Sequence, residues 1–177
     1  VTVLDQTGLA QKGGAVTSHV RIAARPEDLN AVRIDTGAAD LVLGADLVVA
    51  ASPDVISTIE NGRTQAIVNS HETATADSTL DRDFDLQADR LKAEILLATG
   101  EANTEFVDAT AIGTRFFGDS ITANIFLLGL AFQRGCVPVT LESLTRAIEL
   151  NGVSVDTSKR VLALGRIAAE KPDLLQI

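Results

Sequence analysis

Residues 65–72 read QAIVNSHE, a short apolar run followed directly by polar side chains. The core of the run, residues 66–68, is flanked by polar residues and is too short for a helix, which predicts a buried strand over residues 65–69. Two further runs of this kind are LVLG at residues 41–44 and EFVDA at residues 105–109. We interpret all three as strands of one sheet.

Helical patterns separate and follow these strands. Short strands alternating with helical segments are typical of an α/β fold with a parallel sheet. We therefore expect a three-layer α/β/α domain around a parallel or mixed sheet, with a mostly helical C-terminal third, and a single domain over residues 1–177. The predicted helices cover residues 45–59 with a kink at Pro53, 86–98 ending at Gly100, 122–133, 140–150, and a last helix capped by Asp156 that runs to about residue 170.

The first residues suggest two more strands. The apolar run at residues 1–4 predicts a strand, and residues 15–23 alternate with a period of two, which predicts a half-buried strand. Val16 and Val20 fall on one side of this second strand, whereas Thr17 and His19 fall on the other. A glycine-rich loop lies between the two strands.

Composition excludes several classes of function. The net charge of −9 argues against a nucleic-acid or anionic-membrane partner, because phosphates would be repelled. The single cysteine, Cys136, excludes an internal disulfide, a four-cysteine zinc site and an iron–sulfur cluster held by this chain alone. The two histidines have no metal-ligand spacing, so we predict no metal site.

The hydropathy of the chain and its first residues lead to two expectations. The longest apolar stretches fall short of the roughly 18–20 residues that a membrane helix needs, so we expect a soluble, cytoplasmic protein. The sequence contains no methionine and opens on an apolar run, which leads us to expect a piece of a longer polypeptide.

Three polar clusters follow predicted strands. They are Gln11-Lys12-Gly13-Gly14, Ser70-His71-Glu72 and Asp108-Ala109-Thr110. Ligands of α/β sheets bind beyond the carboxyl ends of the strands, so parallel strands would bring the three clusters to one edge. This predicts one edge of the sheet as the ligand-binding site.

The polar residues singled out so far have both a functional and a purely structural interpretation. The glycines next to Lys12 would let backbone N–H groups face an anion, or they form only a tight connection between strands. His19 is either a base or a structural hydrogen-bonding group. His71 and Glu72 could form an acid–base pair, although a loop pair without an orienting residue is a weak signal. We assign no catalytic residue from the sequence.

Five segments of the chain resemble a known family. They are residues 8–22 (GLAQKGGAVTSHVRI), 39–52 (ADLVLGADLVVAAS), 68–73 (VNSHET), 118–120 (GDS) and 147–153 (AIELNGV). Together they resemble the gamma domain of 2-oxoacid:ferredoxin oxidoreductases, and most of all the indolepyruvate type in its fused bacterial form. The gamma domain of that family opens with a glycine-rich strand–turn–helix, which would precede Val1 and is missing from this sequence.

The resemblance implies a division of labour within a larger enzyme. Such enzymes decarboxylate a 2-oxoacid on thiamine diphosphate with magnesium, transfer the acyl group to coenzyme A and pass electrons through [4Fe-4S] clusters to ferredoxin. It implies that other domains hold the thiamine and the clusters, so this chain alone would bind no cofactor and would be inactive. We also expect the isolated chain to form a homo-oligomer, because the missing unit would leave apolar surface uncovered.

The resemblance further implies a place for the glycine-rich loop. Gln11, Lys12, Gly13, Gly14 and His19 would shape the approach of coenzyme A or of the acyl group, or would form an interdomain contact. His71, Glu72 and Asp108 form a second candidate edge. Two other functions stay open: a structural or assembly domain without a ligand, and a freestanding small-ligand module.

Overall fold

The computed structural model describes residues 1–7, 15–72 and 87–175. Its three-stranded sheet is parallel and is accompanied by helices, which confirms the α/β class and is consistent with the expected three-layer arrangement. Strand β4 lies in the centre of this sheet, between β3 and β5. Two further strands, β1 and β2, form a separate antiparallel sheet. The strands are β1 (Thr2–Thr7), β2 (Val16–Arg21), β3 (Leu41–Gly44), β4 (Gln65–Asn69) and β5 (Thr104–Val107).

Seven α-helices lie in the described part of the chain. They are α1 (Leu47–Ala50), α2 (Pro53–Ile56), α3 (Ala88–Thr99), α4 (Ala109–Phe117), α5 (Ala123–Gln133), α6 (Leu141–Asn151) and α7 (Val155–Glu170). Short 3-10 helices cover Pro26–Asp28, Glu101–Asn103, Ser120–Thr122 and Pro172–Leu175. Every described element that follows β5 is helical, which confirms the predicted helical C-terminal third. Among these described helices, none combines the length and the apolar character needed to cross a membrane.

The described residues group into two compact units. The first contains residues 1–42, 46–66 and 72–104, and the second contains residues 43–45, 67–71 and 105–177. The boundaries fall within β3, β4 and β5, so both units take residues from the three-stranded sheet. The single domain over residues 1–177 stays a prediction.

The central strand β4 is covered on both faces. Ala66, Ile67 and Val68 are at most 3% exposed, as expected for a strand in the middle of a parallel sheet. The apolar run at residues 66–68 is therefore the core of the sheet. The buried position of Asn69, at the end of the same strand, is unusual for an amide side chain and matters for the site described below.

Helices α5 and α7 pack through glycines. A Cβ atom on Gly129 would lie closer than 3.0 Å to the carbonyl oxygen of Leu162, and one on Gly165 would lie equally close to the carbonyl oxygen of Phe126. The two backbones therefore touch at a spacing that excludes any larger residue. Leu127 of α5 and Leu162 of α7 are also buried, and both belong to the second unit.

The sequence prediction of helix positions is largely confirmed. The predicted helix over residues 45–59 is split into α1 and α2, because Pro53 starts a new helix. Gly100 ends α3 with a positive φ of 91°, and the Thr140 side chain caps α6. The last helix begins at Val155 after Ser154, so the prediction that Asp156 is its cap is wrong. Asp156 lies inside the first turn.

The first strand does not join the parallel sheet. It extends beyond residue 4 to Thr7, and among the described strands it pairs with β2 alone, in an antiparallel register that places Val3 opposite Val20. The prediction that all three polar clusters follow strands of one common sheet is therefore wrong for β1, and the cluster at residues 11–14 itself lies outside the described residues. The apolar pattern of β1 does not indicate whether this strand belongs to a two-stranded sheet or to a larger one.

Strand β2 is covered on its polar side. Val16 and Val20 are 60% and 48% exposed, whereas Thr17, His19 and Arg21 are half-buried. The polar side is covered because two of its side chains bind the backbone at residues 33–34. His19 Nδ1 accepts from Ile34 N at 3.1 Å, and Arg21 donates to the carbonyl of Arg33 at 3.1 Å. The predicted alternation is present, but the covered face is not the apolar one.

Candidate functional site

The carboxyl ends of β4 and β5 bring two ionisable side chains together. His71 follows β4 and Asp108 follows β5, and the Nδ1 atom of His71 lies 3.1 Å and 3.3 Å from the two carboxylate oxygens of Asp108. The side chains of His71 and Asp108 are 37% and 42% exposed, so the pair is open to solvent and to a ligand. The two groups are 37 residues apart in the chain and meet because β4 and β5 are neighbours.

Asp108 also begins helix α4. Its Oδ1 atom accepts a hydrogen bond from the backbone N–H of Ala111 at 2.7 Å, which is the usual geometry of an N-cap carboxylate. A carboxylate at this end of a helix is further stabilised by the helix dipole. The carboxylate is thus held in place by the backbone while it contacts the imidazole.

Asn69 organises the backbone around the pair. Its Oδ1 atom accepts from Ala109 N at 3.0 Å and from His71 N at 3.3 Å. Its Nδ2 atom donates to the carbonyl of Ala45 at 3.1 Å and to Thr110 Oγ1 at 2.9 Å. All these groups belong to the second unit, and Asn69 itself is 4% exposed. One buried amide therefore joins the end of β4, the residue after β3 and the first turn of α4.

The arrangement is suited to proton transfer. A carboxylate that accepts from Nδ1–H orients the imidazole and leaves Nε2 as the basic atom. In the described part of the chain, the Nε2 atom of His71 has no hydrogen-bond partner. As far as the described residues show, the site therefore has an imidazole that is oriented through Nδ1 and has Nε2 unpaired.

An apolar cavity of about 300 Å³ adjoins Asp108. Strand β5 lines one side and residues from α4, α5 and α7 line the others, with Phe106, Ile112 and Leu130 among them. At the far end of β5, Glu105 forms two hydrogen bonds with Arg134, at 2.9 and 3.0 Å, which raise the pKa of the guanidinium further. This ion pair fixes Glu105, so Asp108 is the carboxylate of the cavity that also contacts the histidine.

The structure places the predicted site residues differently. Gln11, Lys12, Gly13 and Gly14 lie outside the described residues. His19 belongs to β2 and accepts the hydrogen bond from Ile34, which favours its structural interpretation. Glu72 is exposed, and the partner of His71 is Asp108.

Asn69 was not singled out from the sequence. Its signal is its position, because a polar residue that ends a strand of the apolar core must bond to its surroundings when it is buried. The helix α4 was also missed, and the predicted strand over residues 105–109 ends at Val107. Asp108 and Ala109 therefore belong to the start of a helix.

The described residues do not fit the metal-dependent groups implied by the resemblance. They contain no cluster of three His, Cys, Asp or Glu side chains that could hold a metal ion. Cys136, the one cysteine of the chain, cannot by itself hold an iron–sulfur cluster, and partial burial raises the pKa of its thiol. We therefore derive no chemical step through thiamine diphosphate, magnesium or a cluster.

Comparison with known protein families decides the relationship. The family model for pyruvate ferredoxin/flavodoxin oxidoreductase matches residues 1–166. The chain belongs to this family. Comparison with curated proteins and with solved structures gave no significant match. Membership confirms the expected link to 2-oxoacid:ferredoxin oxidoreductases and implies a role in a larger enzyme that acts on 2-oxoacids.

Proposed function

We propose that this chain is the gamma domain of an indolepyruvate-type member of the pyruvate ferredoxin/flavodoxin oxidoreductase family. The complete enzyme would oxidatively decarboxylate an aryl-pyruvate, form the acyl-CoA and pass the electrons to ferredoxin. The observation that carries the proposal is the family match over residues 1–166. The resemblance of residues 8–22 and 68–73 to the indolepyruvate type supports the finer assignment.

The proposal assigns the redox chemistry to other domains. Thiamine diphosphate with magnesium and the [4Fe-4S] clusters would be bound by partner domains of the same enzyme, and ferredoxin would interact with the whole enzyme. The single cysteine supports this, since a cluster needs a set of thiolates. The isolated chain would then be inactive.

Two parts of the chain would serve the reaction. Lys12 and the glycines that follow it would approach the phosphates of coenzyme A, for which a cation and free backbone N–H groups are suitable. The His71–Asp108 pair, at the carboxyl end of the parallel sheet, is where α/β folds bind ligands.

A second candidate function is assembly. One face of the β1–β2 sheet carries Val3 and Val20, which are 56% and 48% exposed. Exposed apolar surface of this kind is typical of protein interfaces. In this case the chain would position its neighbouring domains without touching a substrate, and substitutions at Lys12 and His71 would leave the kinetics unchanged.

The substrate class can be tested in the intact enzyme that contains this chain. Steady-state rates with indolepyruvate, phenylpyruvate, pyruvate and 2-oxoglutarate should give the highest kcat/KM for the two aryl-pyruvates. A preference for pyruvate or 2-oxoglutarate would contradict the indolepyruvate assignment but would retain the family role. Absence of turnover with every 2-oxoacid would contradict the proposed function itself.

A further inference from the structure

We propose that His71 is a catalytic proton acceptor for the thiol that receives the acyl group, and that Asp108 positions it. The inference rests on the proposed function, because the thiol is the acyl acceptor of that reaction. It goes further by naming an acid–base residue on this chain. The sequence placed His71, Glu72 and Asp108 at one candidate edge, and the acid–base partner that it suggested for His71 was Glu72.

The geometry supports a base with one defined nitrogen. Both carboxylate oxygens of Asp108 lie within 3.3 Å of Nδ1, so the Nδ1–H tautomer is stabilised and Nε2 carries the lone pair. The carboxylate is itself fixed by Ala111 N, and Asn69 holds the backbone N–H of His71. A histidine held at its backbone N–H by Asn69 and at its ring nitrogen by Asp108 has the preorganisation that general base catalysis needs.

The same contacts disfavour an anionic ligand at this position. A phosphate at the start of α4 would need the backbone N–H groups of its first turn, which include those of Ala109 and Ala111. The Ala109 N–H already donates to Asn69, and the Ala111 N–H already donates to Asp108. The negative charge of Asp108 would also repel an anion next to His71. A neutral weak acid such as a thiol is the ligand group that fits an available imidazole nitrogen beside a carboxylate.

The proposed step transfers one proton. The Nε2 lone pair of His71 takes the proton of the R–SH group, the S–H electron pair stays on sulfur, and a thiolate and an imidazolium are formed. The imidazolium is stabilised by the adjacent Asp108 carboxylate, and it returns its proton to water after the acyl group has been transferred. The step involves no oxidation or reduction. Within the described ranges, its charged contact is Asp108, and the exposed Glu72 is next in the chain.

The test uses the intact enzyme that contains this chain and separates two rates. Rapid quench follows acyl-CoA formation, and CO2 release without coenzyme A follows decarboxylation. In His71→Asn, acyl-CoA formation should fall by about 10²-fold, the size of a general base contribution, while CO2 release stays within about twofold.

Chemical rescue provides a readout that a structural role would not give. In His71→Ala, exogenous imidazole should restore part of the acyl-transfer rate in proportion to its neutral form. Asp108→Asn retains an N-cap side chain for α4, so the helix start is preserved while the negative charge is lost. This variant should lower the acyl-transfer kcat about tenfold with little change in the KM for coenzyme A.

A matched control is Asp119→Asn, which alters another capping carboxylate. Asp119 is exposed and accepts from Ile121 N at 2.9 Å, without a histidine partner. Its variant should retain wild-type rates. An active wild-type enzyme whose His71→Asn variant forms acyl-CoA normally, or loses CO2 release equally, would overturn this inference alone. A wild-type enzyme that forms no acyl-CoA from any 2-oxoacid would overturn the proposed function as well.

Discussion

Asn69 Nδ2 lies 2.9 Å from Thr110 Oγ1, and this hydrogen bond joins the end of β4 to the first turn of α4. The same amide bonds Ala109 N and the carbonyl of Ala45. Because Asn69 is buried, its removal would leave backbone groups without partners and without access to water.

Asn69→Ala should therefore lower the free energy of unfolding by about 3 kcal/mol, the cost of leaving buried polar groups unpaired. Urea denaturation of the chain measures this change. Asn61→Ala is the control, since Asn61 is exposed and its side-chain amide donates to the carbonyl of Leu97. It should cost less than about 1 kcal/mol. Equal effects of the two variants would show that Asn69 does not organise the site.

The crossing of α5 and α7 should tolerate no added methyl group. Gly165→Ala would place Cβ against the backbone of Phe126, and backbone cannot move aside as a flexible side chain can. We expect a loss of about 3 kcal/mol or failure to fold. Ala163→Gln, at an exposed position of the same helix, should change stability by less than about 0.5 kcal/mol. A fully stable Gly165→Ala protein would contradict the close helix contact.

Lys12 should affect coenzyme A rather than the 2-oxoacid. If its ammonium group meets a phosphate, Lys12→Ala in the intact enzyme raises the KM for coenzyme A about tenfold, or roughly 1.4 kcal/mol. The control is Lys171→Ala, which removes an exposed lysine after α7. Steady-state titration of coenzyme A distinguishes the two proposed functions of the loop. A raised KM in Lys12→Ala supports contact with coenzyme A, whereas an unchanged KM favours an interdomain contact.

The isolated chain should self-associate as a twofold dimer. Val3 and Val20 face each other across the β1–β2 pair and are both exposed, so a second copy could cover them. Repulsion at a net charge of −9 is screened over about 8–10 Å at physiological salt, so apolar burial should prevail.

Sedimentation equilibrium at micromolar concentration tests this association. The double variant Val3→Thr, Val20→Thr should shift the equilibrium toward a monomer near 18.6 kDa, whereas Val153→Thr, at an exposed valine after α6, should not. A wild-type chain that is monomeric over this range would contradict the prediction.

Local patterns predicted most elements, but not their partners. The apolar runs at residues 41–44 and 65–69 became β3 and β4, and helical spacing located α3, α5 and α6. Helix α4 was missed because its nine residues contain Gly113 and several β-branched residues, which have weak helix propensity. Gly113 is required there by tertiary structure, since a Cβ atom would collide with Thr122.

The candidate site also shows that local patterns do not predict which elements become neighbours. His71 and Asp108 were each singled out from their positions after strands, yet their pairing depends on β4 and β5 being neighbours. Strand order is a property of the whole chain, and no short pattern encodes it. The alternation of β2 likewise did not show which face is covered, since His19 and Arg21 bind a backbone segment more than ten residues away.

The most direct test of the proposed function is ferredoxin reduction by the intact enzyme that contains this chain. Reduction should require both a 2-oxoacid and coenzyme A, should yield one acyl-CoA for each CO2, and should stop when residues 1–177 are deleted. The separately produced chain should show no activity of its own. Ferredoxin reduction that continues at the full rate without residues 1–177, or that needs no 2-oxoacid, would contradict the role proposed for this chain.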